Sequence, residues 1–137
     1  MATLNQPVHN LSKNDLQDLM VETDNWLTDL NFLSGEIKFY WKVTNNYLKG
    51  IDKETTDRVA LVQKDLSQLD FTTHRIRAEV LNYREELDLQ LREVKSAEGE
   101  WVKDLHQELK LKINNLNKAA RDFKDDVFDI AEDVYGD

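Results

Sequence analysis

The side chains of this chain best able to bind a metal or move a proton near neutral pH are three histidines, His9, His74 and His106. A helical di-iron centre needs a glutamate three residues before its ligating histidines, and further glutamates turned into the core. Neither His74 nor His106 has that glutamate, and Phe71 stands in its place before His74. Both are therefore expected at the surface, and no metal site or cofactor is expected. A metal-carrying bundle is only a remote alternative. There is no cysteine, which excludes thiolate nucleophiles and disulfides. No Gly-x-Ser-x-Gly elbow is present, and Gly35, Gly50, Gly99 and Gly136 stand alone, so none builds a phosphate-cradling loop. General acid–base work needs a carboxylate in a dry pocket. Glu36 and Glu79 border apolar positions, but so does the flanking charge of any coiled coil. The expectation is a protein that is not an enzyme.

Two groups of residues suit binding instead. Asp122, Asp125, Asp126, Asp129, Glu132 and Asp133 are spaced so that a helix gathers all six on one arc. Between positions 122 and 137 there are seven acids and one base, Lys124. Acids near a helix C-terminus oppose its dipole, so the cluster is a candidate dock for a basic partner as well as a solvated face. It is not an EF-hand loop, because its carboxylates do not alternate and the glycine and closing glutamate are missing.

The second group is aromatic. Of twelve aromatic residues, six (Trp26, Phe32, Phe39, Tyr40, Trp41 and Tyr47) lie between positions 26 and 47. Phe32, Phe39, Trp41 and Val43 extend the apolar surface of that segment beyond one stripe and form a candidate interface, since large aromatics concentrate binding energy. Glu22, Asp29 and Glu36 border this flank and oppose insertion into a membrane.

These residues must be positioned by helices. Leu16, Leu19, Thr23, Trp26, Leu30, Leu33, Ile37, Tyr40, Thr44, Tyr47 and Ile51 follow one another at alternating spacings of three and four, the period of a helix face packed along its length. Ser12, with Asp15 three residues on, starts this helix, and Gly50 stops it. Asp52, or else Thr55, caps the next. A second stripe runs Val59, Val62, Leu66, Leu69, Thr73, Ile76, Val80, Tyr83, Leu87 and Val94, interrupted by Gln90. Asp65, Glu79, Glu86 and Glu93 line one edge of it, Arg77 and Arg84 the other. The third stripe reads Val102, Leu105, Leu109, Ile113, Leu116, Ala120, Phe123, Val127, Ile130 and Val134. Its opening spacings of 3, 4, 4, 3 predict a stutter that locally unwinds the supercoil. The fold expected is all-α: an antiparallel three-helix bundle with helices at about 12–49, 53–95 and 97–134, a turn at 95–100, a flexible segment over 1–11, and one domain over 12–137. The alternative is helix 1 hairpinned onto one continuous helix over 53–134, which would bury its stripe by dimerising.

Composition narrows the partners. A net charge of −9 repels nucleic-acid phosphates and anionic lipid. No secretory signal and no spanning segment is evident, so a cytoplasmic protein is expected. Stripes of this kind arise in many unrelated chains and point to no one family. The function expected is a non-catalytic helical interaction or structural protein that self-associates. The alternative is an acidic, chaperone- or antitoxin-like binder of a basic partner protein.

Overall fold

The computed structural model describes residues 11–93 and 99–136. Among these there is no strand. The chain forms α1 (Lys13–Val43), a π turn (Thr44–Leu48), α2 (Lys53–Glu93) and α3 (Gly99–Tyr135), which pack as a three-helix bundle. The expected loose segment over 1–11 lies almost wholly outside the described residues. So does most of the expected turn over 95–100.

α1 and α2 each begin where a side chain satisfies free N–H groups. The Ser12 hydroxyl accepts from the Asp15 amide at 3.0 Å, and the Asp15 carboxylate accepts from the Ser12 amide at 3.3 Å, a reciprocal cap. Asp52 accepts from the Thr55 amide at 2.7 Å and starts α2. Between α1 and α2 the chain reverses at Gly50, whose φ of 88° is the left-handed conformation that suits glycine.

By packing, the chain divides into two units: Met1–Asp29 with Ile76–Ile113, and Leu30–Arg75 with Asn114–Asp137. Within the first, Tyr83 meets His106 and Glu79 meets Lys112, so α2 and α3 run antiparallel. Within the second, Gly50 meets Thr56 and Thr44 meets Gln63, which makes α1 and α2 antiparallel. There, Glu36 meets Lys124 and Tyr47 meets Tyr135, so α3 is parallel to α1. This excludes the continuous helix over 53–134, because α3 returns along α2.

The stripes form the cores. In α2 every stripe position from Val59 to Leu87 is buried. Three buried threonines, Thr23, Thr44 and Thr73, turn their hydroxyls back onto the carbonyls of Leu19, Tyr40 and Leu69 at 2.6–2.8 Å, which removes the cost of placing them there.

Two details of the expected registers are corrected. First, helix 1 does not stay α-helical to position 49. At the π turn the Lys49 amide reaches back five residues to the Thr44 carbonyl at 3.0 Å. Tyr47 and Ile51 are consequently exposed, and Leu48 takes the core place expected for Tyr47. The cause is a polar wedge. Gln63 of α2, itself buried, donates from Nε2 to Thr44 Oγ1 and to Asn45 Oδ1, both at 2.8 Å, and so holds the widened turn open.

Second, α3 has no stutter. Its buried positions are Val102, His106, Leu109, Ile113, Leu116, Phe123, Val127 and Ile130, with Ala120 half-buried. With Ala120 counted, the spacing alternates four and three without a break. The apparent slip came from assigning Leu105, which is half-buried, to the place that His106 occupies.

Candidate functional site

The surface most suited to recognition is a double row of aromatic rings in the second unit. Phe32, Phe39 and Tyr47 on the α1 side, and Phe128 and Tyr135 on α3, are each 55–70 % exposed. They stand on an ordered base. Tyr40 lies buried beneath, edge-on to Phe39 and Phe123 at 5.5 Å and to Phe128 at 6.5 Å, separations at which aromatic pairs attract. The Tyr135 hydroxyl donates to the Tyr47 carbonyl at 2.5 Å, and Lys124 pairs with Glu36 at 3.1 Å, so α3 is tied to α1 at two levels. Burial raises the pKa of the Tyr40 phenol, which keeps its proton.

The four residues expected at the interface are divided by the fold. Phe32 and Phe39 belong to the exposed row, and Val43 is half-buried at its edge. Trp41 is also half-buried, but it follows Phe39 by two positions and so projects roughly 160° away from it. It is not part of the same surface. Phe128 and Tyr135 were visible in the sequence only as apolar residues off the third stripe. Tyr47 was assigned to the core, and only the π turn brings it out.

The six acids of α3 are all exposed. Asp133 pairs with Arg58 of α2 at 2.8 Å. Asp65 of α2 joins the acidic face, and with Asp126, Asp129 and the Asp133-paired Arg58 it borders a groove lined by Leu61, Val62 and Ile130. Partial burial, then the charges of Asp129, Asp65, Asp122 and Asp125, push the Asp126 carboxyl above the usual aspartate value. Burial is the larger cause and the neighbouring carboxylates add to it, so a cation bound beside Asp126 would offset the second contribution.

The first unit holds a polar node that the sequence reading placed at the surface. His106 is only 3 % exposed. Its Nε2 meets Glu22 of α1 at 2.5 Å, its Nδ1 meets the Tyr83 hydroxyl of α2 at 2.8 Å, and its ring stacks on Trp26 at 4.5 Å. The hydrogen bond from His106 holds the Glu22 carboxyl below its ordinary value, against the opposing effect of burial. An ionised Glu22 can only accept, so Nε2 is the donor. The Tyr83 hydroxyl, whose pKa burial and then the Glu22 charge drive far up, keeps its proton and hydrogen-bonds with Nδ1. Both ring nitrogens are engaged, and neither is offered to a substrate. What the node does is join all three helices through one satisfied side chain.

Among the described residues, no group of three or more histidines and carboxylates is arranged to hold a metal ion. No helix is long and apolar enough to cross a membrane. Compared with known protein families, with characterised proteins and with solved structures, the chain shows no significant match.

Proposed function

We propose that this protein is a non-catalytic helical interaction module that works by self-association, in the cytoplasm. The observation that carries this reading is the exposed aromatic row. A helical bundle buries its large rings when it can, and here five of them stand in water on a base already closed by Tyr40, Phe123 and the Glu36–Lys124 pair. Contiguous exposed aromatic surface with an ordered base is the kind of surface that binds protein. The test is sedimentation at two concentrations. The parent chain is expected to associate, and the Phe32→Ser, Phe39→Ser double variant is expected to lose association while keeping its helix content. A parent that stays monomeric at both concentrations contradicts the reading.

A second reading is favoured by a separate observation, a groove that sets the carboxylates of Asp65, Asp126 and Asp129 beside apolar side chains. In that reading the protein binds a basic partner, whose aliphatic stems cover the exposed Leu61. Replacing Asp125, Asp126, Asp129 and Asp133 by asparagine should then abolish capture of the partner. Unchanged capture would exclude this face as the dock.

A further inference from the structure

On α1 the aromatic row is a second heptad stripe. Phe32 and Phe39 are seven residues apart, and Tyr47 follows after eight. The π turn absorbs the extra residue, so Tyr47 stays in phase with the other two. On α3, Phe128 and Tyr135 are again seven apart. A helix with two such stripes has two sets of packing partners. The first set is α2 and α3, and the second stripe is left exposed by the described residues.

Charge is distributed unequally along the two edges of this surface. On α1, Lys38 and Lys42 fall on the side of the row turned away from α3. On α3, Asp125 and Asp129 fall beyond Phe128, on the side turned away from α1. All four are exposed, and none forms an ion pair among the described residues. At the level of Phe39 and Phe128, one edge is therefore basic and the other acidic, with the rings between them.

We propose that the occupant of this surface is a second copy of the chain, docked in parallel about a two-fold axis that runs along the helices. This rests on the self-association reading above and deepens it. Rotation about such an axis lays the basic edge of each copy on the acidic edge of the other. An axis across the helices would set lysine on lysine and aspartate on aspartate, an arrangement that like-charge repulsion disfavours. The levels agree as well. Glu36 is level with Lys124, Tyr40 with Phe123 and Tyr47 with Tyr135. On that scale Lys38 and Lys42 reach the heights of Asp125 and Asp129. One turn earlier on α3, Lys118 and Arg121 fall opposite the uncharged Asn31 and Ser34.

The experiment is charge reversal, read by sedimentation equilibrium. Lys38→Glu with Lys42→Glu is expected to weaken the dimer by about tenfold or more, and so is Asp125→Lys with Asp129→Lys. The second pair is the more telling, because it lowers the net negative charge and would strengthen any association limited only by overall repulsion. All four substitutions together are expected to restore the parent affinity. Circular dichroism shows whether each variant keeps its helices. If the parent dimerises but neither pair weakens it, or if the fourfold variant fails to recover, the parallel pairing is wrong while self-association stands. A parent that never dimerises removes both.

Discussion

His106 of α3 donates its Nε2 proton to Glu22 of α1 across 2.5 Å, from a position almost wholly out of water. A histidine in a helical core is costly unless both ring nitrogens are satisfied. Here the second one takes the Tyr83 hydroxyl. The triad behaves as one unit, and its members should be tested together.

His106→Ala leaves a cavity and a buried phenol without a partner, and is expected to cost about 2–4 kcal/mol. His106→Leu fills the space but still orphans Tyr83. Adding Tyr83→Phe to His106→Leu should recover most of the loss, because both hydrogen-bonding partners are then apolar. Urea denaturation of the three variants measures this. A double variant no better than His106→Leu alone would show that the Tyr83–His106 bond is not the reason for the cost.

The Glu22 carboxyl titrates below its ordinary value of 4.5 in the folded protein. Its folded form therefore binds the proton less readily than the unfolded chain does. Its contribution to stability is complete above about pH 4.5 and is lost as the pH falls through the lower, folded value. Glu22→Gln should make the protein less stable at pH 7 and flatten the acid limb of its stability profile. Asp126 has the opposite sign, since its folded value is raised above 3.8. Asp126→Asn should raise the melting temperature at pH 7, and the gain should vanish once the pH falls below 3.8. Melting curves of both variants between pH 3 and 7 check the two signs.

The π turn makes a prediction about chain length. One residue too many lies between Thr44 and Lys49 for an α-helix, and exposed Asn46 makes no contact that holds the turn. Deleting Asn46 should let α1 continue as a regular helix, with Leu48 still in the core and Tyr47 still outside. Closing the turn pulls Thr44 and Asn45 away from the buried Gln63 amide, so the melting temperature should fall. A melting temperature that is unchanged or higher would show that the Gln63 wedge is not what holds the turn open.

The three stripes, the caps at Ser12 and Asp52 and the reversal at Gly50 were legible in the sequence, because each rests on local spacing or on one residue's backbone preference. The two failures share a cause. The heptad counted back from Leu109 and Ile113 lands on position 106, but the partners that let a histidine sit there, Glu22 and Tyr83, come from the other two helices. Tyr47 was placed inside because an α-helical count was carried through Thr44. The wedge that changes the count, Gln63, sits nineteen residues away on another helix. Local spacing cannot register a partner contributed by a distant segment. The same limit split the expected interface: Phe32 and Phe39 were legible as an exposed pair, but Phe128 and Tyr135 join them only through the parallel packing of α3 on α1.

Self-association through the aromatic row is tested most directly by the mass of the particle in solution. Light scattering of the unmodified chain over a range of concentrations should rise to about twice the 16.1 kDa of one chain. Phe39→Ser with Phe128→Ser should hold the mass at that of one chain. A mass of 16.1 kDa for the unmodified chain at every concentration would contradict the account.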